Sequence, residues 1–504
     1  MKNRLGNIFL VSGSTIISRV SGFGRDALFA SMFGIGNIGS AFLFAFTIPN
    51  LFRRLLGEGA LSSAAIPILS KLHVTGGASA VLSLLKTVIC RLLAILAVVA
   101  AVGCGLAYLA AQCTFFTEKW TLPAHFLVLL LPYMIFVCAA AIISAGLNVF
   151  DRFFVSSLNA VWLNFCMIAS LLIGKFVLAL SGVKLLDCLS LGVILGGILQ
   201  CIVPFLALKR LGIKCDKFSH EAEVGEILKL FWPGFWGAAI SQINLLMSRN
   251  LAYVYCASAV SVLYLANRIV ELPLGVFGIA VATVIFPDMA KLAADERLQG
   301  KLNGAFNHGM FMLLWILLPS AVGLYLVRHE LLSLFFEWGT FGPEDAAVTA
   351  PVLAIYCVSI PFLGVSNFLI RSFHALRDTK TPAKIGLCVL VVNFTLTVVL
   401  TWQLGMNGVA LATTLSLVVQ TAMLYHKLCI QSSVFRISMD RSKVIGIILG
   451  LLAVCLCIKF GQIATSDWLN CKKRDILILF LCVPLAALSY IFISMFLLKP
   501  CKRR

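Results

Sequence analysis

Five arginines lie within or at the edge of long apolar stretches of this chain: Arg19, Arg25, Arg91, Arg249 and Arg268. An arginine at the centre of a membrane-spanning helix costs roughly 2.5–3.5 kcal/mol on insertion scales, so each one demands a polar interior or a partner. The guanidinium stays charged at any biological pH and offers a planar fork of donors that fits phosphate or carboxylate bidentately. The densest case is "SRVSGFGRDALFASMFG", residues 18–34, which holds Arg19, Arg25 and Asp26. Arg19 and Arg25 would project about 120° apart on a straight helix of 3.6 residues per turn. Gly22 and Gly24 lie between them and permit a bend or local unwinding that would aim both side chains at one space. Arg268 and Glu271, three residues apart, share a helical face. Arg91 lies near a segment end, where it can snorkel.

Each arginine taken alone is as well read as a structural ion pair or a snorkelling residue. Arg19, Arg25 and Arg268 taken together favour a cationic binding site. Arg249 either joins such a site or replaces the charge of a lost cation. Arg53 belongs to an "RR" pair at the end of an apolar segment and by position alone is ordinary anchoring. Pro49 and the 273–278 stretch are candidate hinges, although proline kinks are common in membrane helices.

Other chemistries fare poorly. The seven histidines are scattered with no HExxH spacing, and no P-loop occurs. The "GFG" triplet alone is no nucleotide fingerprint. Most of the 17 cysteines stand singly in apolar segments, such as Cys90, Cys138, Cys166 and Cys388, and read as small hydrophobes. No catalytic residue, metal site or cofactor is expected, so an enzyme is not indicated.

The elements that must position these arginines follow from composition. Of 504 residues, 61% are hydrophobic and 12% charged, against about 25% charged in a soluble protein. Mean hydropathy is +1.01. Apolar segments fall near 7–33, 38–56, 85–112, 124–149, 155–180, 186–208, 227–254, 260–286, 304–327, 346–370, 383–403, 407–428, 443–462 and 475–498. Each can cross a hydrocarbon core of about 30 Å. The expected fold is an all-α polytopic membrane protein of about 14 transmembrane helices. The alternating 10-residue pattern of a β-barrel is absent. "MKNRLGNIFLVSG" resembles a signal peptide but lacks a convincing cleavage site, so it is kept as the start of the first span. "KPCKRR" has no CaaX box and reads as a basic anchor.

The net charge of +19 is topological and does not indicate nucleic-acid binding. With the amino terminus in the cytoplasm, most lysines and arginines fall in cytoplasmic loops, among them Arg53, Arg54, Lys71, Lys209, Arg210, Lys214, Arg371, Arg377 and Lys380. Both termini are therefore expected inside. The "CKKRD" stretch, 471–475, disobeys.

"GALSSAAIPILSKL" at 59–72 aligns with "IAVATVIFPDMAKL" at 279–292, matching Pro67 to Pro287 and Lys71 to Lys291. Gln200 and Gln420 share that 220-residue spacing, and "NF" recurs at Asn164 and Asn393. A duplication implies two six-helix lobes, 1–218 and 219–432, followed by 433–504 with two further helices and a cytoplasmic tail. Six helices per repeat is even, so the lobes are parallel repeats, a class that binds substrate between lobes and alternates its access.

Several stretches resemble the MurJ (MviN) family of lipid II flippases in the MOP exporter superfamily. They are "SRVSGFGRDALFASMFG", "AFTIPNLFRRLLGEGALSSAAIPIL", "SQINLL", "NRIVELPLGVFGIAVATVIFP", "FEWGTFGPEDA" and "RSFHALRDTKTPAKIG", in family order over residues 1 to about 430. The resemblance implies a transporter of the bacterial inner membrane. It would flip lipid II, an undecaprenyl-pyrophosphate-linked peptidoglycan precursor, outward by alternating access through a cationic central cavity. It implies head-group binding by Arg19, Arg25, Arg53 and Arg268, with Asp26, Glu58 and Glu271 as acidic partners. The last two helices would line a groove for the lipid tail. Lipid II and membrane lipids are the implied partners, with cell-wall synthesis or division proteins as further candidates. The chain departs from the family pattern at Ser40, Ser248 and Thr397, where acids are common, and Arg249 is unusual. These changes weigh against a sodium site and leave membrane potential or another ion gradient as the drive. The alternatives are a flippase for another polyprenyl-pyrophosphate-linked glycan, a cation or drug antiporter of the same superfamily, or a non-transporting scaffold.

Overall fold

A computed structural model describes residues 2–57, 60–112, 118–213, 221–275, 279–293, 298–438, 440–465 and 471–498. These residues are helical almost throughout. In chain order the helices are α1 (Lys2–Phe33), α2 (Asn37–Phe52), α3 (Ala60–Gln112), α4 (Thr121–Leu130), α5 (Tyr133–Val149), α6 (Phe153–Ser157) and α7 (Asn159–Leu172). There follow α8 (Gly182–Lys209), α9 (Glu221–Tyr255), α10 (Ala259–Pro273), α11 (Ile279–Ala293), α12 (Gln299–Leu326) and α13 (Arg328–Phe336). The last are α14 (Pro343–Ala375), α15 (Lys380–Leu404), α16 (Met406–Gln431), α17 (Arg441–Ala464), α18 (Cys471–Leu477) and α19 (Val483–Leu498).

Among the described residues, ten helical stretches are long and apolar enough to cross a membrane. One of them, Asn37–Gln112, covers two expected segments. The expected spans at 7–33, 227–254 and 260–286 fall outside the ten. Charges interrupt the first. Gln242, Asn244 and Arg249 dilute the second, and the third runs through residues 276–278, which lie outside the described residues, between α10 and α11. These three segments are the ones that carry Arg19, Arg25, Arg249 and Arg268. The chain is an all-α polytopic membrane protein.

Two compact units are present, Met1–Tyr253 and Val254–Arg504. In the first, α3 packs on α5, α5 on α8, and α7 on α8 and α1. Residues 60–72, which lie between two expected spans, form the first part of α3. It is buried through Ala60, Leu61, Ala64, Ala65, Ile68 and Leu69 against Ile142, Ile143 and Leu147 of α5. Its repeat partner at 279–292 is also helical, as α11. Gly77 breaks α3 into two arms, with φ 75° and ψ −174°, a backbone conformation open to glycine.

Most of α9 belongs to the first unit, although the sequence boundary was expected at 218/219, outside the described residues. Near its end Tyr253 stacks on Phe44 of α2 at 5.1 Å, and its hydroxyl donates to the Lys119 carbonyl at 2.9 Å. One turn earlier Arg249 donates to the Thr47 hydroxyl. Residues four apart lie on one helical face, so this face is what docks α9 on α2.

In the second unit α14 packs on α16, α15 on α16, and α17 on α19. The turn into α15 is set by Asp378, whose Oδ1 accepts from the backbone N–H groups of Lys380 and Thr381, both at 3.0 Å. These N–H groups lack carbonyl partners inside the helix, and a carboxylate also suits the positive end of the helix dipole. The disobedient basic stretch has a local reason. Lys472 sits 3.6 Å from the centre of the Trp338 ring and donates to the Glu337 carbonyl at 2.9 Å.

Candidate functional site

Arg25 is the most firmly held of the expected site residues. Its side chain is 12% exposed, and that of Asp26 is 3% exposed. Adjacent residues diverge by about 100° on a helix. Even so, the arginine folds back, and its Nε and Nη2 reach Asp26 Oδ1 at 2.8 and 2.6 Å. Its Nη1 donates to Asn164 Oδ1 at 2.9 Å and approaches the Met167 sulfur at 3.7 Å, both on α7. Asn164 is buried, and its Nδ2 donates to the Ser18 carbonyl and the Ser21 hydroxyl, each at 3.1 Å. A guanidinium can only donate, so the amide oxygen must face Arg25 and the amide nitrogen must face α1. One amide thereby ties α7 to a turn of α1 and orients the guanidinium.

No local unwinding occurs at Gly22 and Gly24. The helix is continuous from Lys2 to Phe33, through Gly22 and Gly24. Arg25 reaches its partners by side-chain length, and Gly24 would leave open space around an added Cβ. Arg19, on the same continuous helix, is half-buried and makes no hydrogen bond or ion pair among the described residues.

Pro49 is buried in α2, and the π-helical turn Arg53–Gly57 follows the helix. Such turns absorb an extra residue and often occur at functional positions. Arg53 Nε donates to Asn50 Oδ1 at 3.2 Å. The side chain borders a cavity of about 410 Å³ within the first unit. Glu58 lies outside the described residues.

In the second unit Glu271 draws two donors together on α10. Asn267 Nδ2 lies 2.9 Å from its Oε1, and Arg268 Nη1 lies 3.3 Å from its Oε2. Thr397 is fully buried and donates to Asn393 Oδ1 at 3.0 Å. Ser40 is likewise fully buried. A separate apolar cavity of about 620 Å³ is walled by α12, α13, α17 and α19, with Trp315, Val454, Ile458 and Tyr490 among its residues. The polar groups of Trp315 and Tyr490 in its wall are paired within the protein. Trp315 Nε1 donates to Ser494 Oγ at 2.9 Å, and the Tyr490 hydroxyl donates to the Trp315 carbonyl at 2.8 Å.

The family model described as "Lipid II flippase MurJ" matches residues 29–470. The chain belongs to that family. Among MurJ relatives, a probable lipid II flippase MurJ of Vibrio cholerae serotype O1 is 32% identical over 447 residues, covering 85% of this chain and 84% of the relative. The corresponding protein of Rhizobium meliloti is 32% identical over 412 residues, covering 80% and 76%. A solved lipid II flippase MurJ in an inward closed conformation superposes with a TM-score of 0.78 at 25% identity, covering 97% of this chain and 98% of that one. An inward-facing MATE-family multidrug transporter of the MOP superfamily superposes at 0.67 with 13% identity, covering 84% and 98%, a likeness of fold alone.

Sequence reasoning missed the polar partners more than the charges. Asn164 was visible only as half of a repeated dipeptide, and Thr47 was not singled out. The usable signal was an amide or hydroxyl inside an apolar run. Such a group costs several kcal/mol in lipid unless it finds a partner.

Proposed function

We propose that this membrane transporter flips lipid II from the cytoplasmic to the periplasmic leaflet of the bacterial inner membrane for peptidoglycan synthesis. The supporting observation is the match to the lipid II flippase family across 29–470. The head group carries a pyrophosphate, sugars and a peptide with carboxylates. Arg19, Arg25 and Arg53 of the first unit and Arg268 of the second are the residues that bind its anionic groups. Asp26, Glu58 and Glu271 balance part of that charge. Pro49 is the hinge beside Arg53, and Arg249 belongs to the gating set through Thr47.

The apolar cavity among α12, α13, α17 and α19 takes the polyprenyl tail. The chain crosses the membrane about 14 times, in two six-helix lobes plus two helices, with both termini in the cytoplasm. Transport proceeds by alternating access without ATP.

The test is complementation of cells depleted of their lipid II flippase, paired with a periplasmic lipid II accessibility assay. Restored growth with externally accessible lipid II is expected. A properly inserted protein that leaves lipid II inaccessible overturns the proposal. Restoration of a different polyprenyl-linked glycan in its place would reassign the substrate.

A further inference from the structure

The cavity beside Arg53 is unlike the rest of the first unit. It measures about 410 Å³, within the range of about 300–1,000 Å³ usual for small-molecule pockets. Its polar wall includes Arg53, Ser144, Asn148, Asn159 and Gln200, and no aspartate or glutamate is among its described lining residues.

The amides are fixed by one another. Gln200 Nε2 donates to the Asn159 carbonyl at 2.7 Å, and its Oε1 accepts from the Tyr133 hydroxyl at 3.3 Å. Asn159 Nδ2 donates to Ser144 Oγ at 2.9 Å, and Asn148 Oδ1 accepts from Ser156 Oγ at 2.8 Å. One acceptor is left over. Asn159 Oδ1 is enclosed and has no hydrogen-bond partner among the described residues. A buried amide oxygen without a donor is uncommon in folded proteins and calls for an incoming N–H or O–H.

An unsatisfied acceptor and a guanidinium in one cavity specify a ligand with an N–H or O–H donor near a carboxylate. A guanidinium beside fixed amides and hydroxyls can take a carboxylate through paired N–H donors. We propose that this cavity is a second head-group subsite, which takes an amide-and-carboxylate portion of the sugar–peptide end of the substrate. Asn159 accepts from its N–H, Arg53 pairs with its carboxylate, and the phosphates go to Arg25. This rests on the flippase reading and adds residues to it: Asn148, Asn159 and Gln200.

The test measures binding of three lipids to the full-length protein in nanodiscs: undecaprenyl pyrophosphate, lipid II, and lipid II with its peptide carboxylates amidated. Asn159→Ala removes the acceptor. Ala160→Glu places an acid at an exposed position of the cavity wall without breaking any of these hydrogen bonds, so its fold should persist. Both variants are expected to weaken lipid II binding by about tenfold and to leave undecaprenyl pyrophosphate within about twofold. Amidated lipid II should bind the wild type more weakly than lipid II and be indifferent to Ala160→Glu. Equal losses for lipid II and undecaprenyl pyrophosphate, no loss for either, or full affinity for the amidated lipid each overturn the subsite. Arg25→Ala separates this from the broader reading. If it leaves undecaprenyl pyrophosphate binding intact, the phosphate assignment fails whatever the cavity does.

Discussion

Arg25 is held by two groups of different kinds. Asp26 cancels charge, and Asn164 fixes direction. Breaking a buried ion pair from one side leaves an uncompensated charge and costs about 3–5 kcal/mol, so single substitutions confound folding with function. Arg25→Ala is therefore best read beside the double variant Arg25→Ala, Asp26→Asn, which removes both charges. Transport should be lost in both, with expression retained in the double variant. Normal transport in the double variant would sink the cationic-site assignment. Asn164→Leu removes the acceptor that orients the guanidinium, a hydrogen bond to a charged group worth about 1.5–3 kcal/mol. Transport in proteoliposomes should fall about 10- to 100-fold. Asn164→Asp keeps an acceptor for Arg25 but loses the donor to the Ser18 carbonyl and adds a second acid, so both the α1–α7 contact and the affinity for undecaprenyl pyrophosphate should weaken. Wild-type transport in Asn164→Leu would show that Arg25 needs no such guide. The arginines were legible because a charge in an apolar run has few explanations. Asn164 was not, because its partner Arg25 lies 139 residues away and neutral amides carry little sequence signal.

Elements depend on residues that never touch a substrate. Asp378 at the start of α15 is one. Burial raises its carboxyl pKa, but hydrogen bonds from the Thr381 side chain and backbone and from the Lys380 N–H outweigh that and leave it below the ordinary carboxylate value. A depressed folded-state pKa means the cap stabilises above the unfolded carboxylate range, near 3.9, and its contribution is lost as pH falls through the lower folded value. Asp378→Ala should cost about 0.5–2 kcal/mol, seen as faster amide exchange at the start of α15. Asp378→Asn should flatten the acid dependence of that exchange. Unchanged exchange in the alanine variant would refute the capping role. Gly77 is the comparable case in α3. An added Cβ there meets no atom within 4 Å, so Gly77→Ala is penalised only by its backbone conformation, which is essentially confined to glycine, by about 1–3 kcal/mol. Helix positions were largely legible from apolar runs. The 60–76 arm of α3, buried on one face over 60–69, was not, because small residues interspersed with Ser62, Ser63 and Lys71 lack the length and hydropathy of a span. Its burial is supplied by α5, which a local pattern cannot show.

For the molecule as a whole, the charges bear on how transport is driven. Ser40, Ser248 and Thr397 carry no carboxylate, and Thr397 is already bonded to Asn393, so these positions offer no acid to coordinate a coupling cation. The substrate itself supplies charge. An anionic head group moving outward across an inside-negative membrane gains about 2.3 kcal/mol per charge for each 100 mV. A head group with two net negative charges thus gains about 4–5 kcal/mol at 100 mV, on the order of a thousandfold in distribution. A fixed set of arginines that binds the anion and releases it outside needs no counter-ion to use that gradient. In proteoliposomes with a potassium diffusion potential, negative on the cytoplasmic face, export of lipid II should accelerate. It should slow when the potential is reversed. Exchanging sodium for potassium at constant potential should change the rate by less than about twofold, since one ion-specific step of even 1.4 kcal/mol would show as tenfold. Strong sodium dependence at fixed potential would overturn this drive and point to cation ligands other than those at the substituted acid positions.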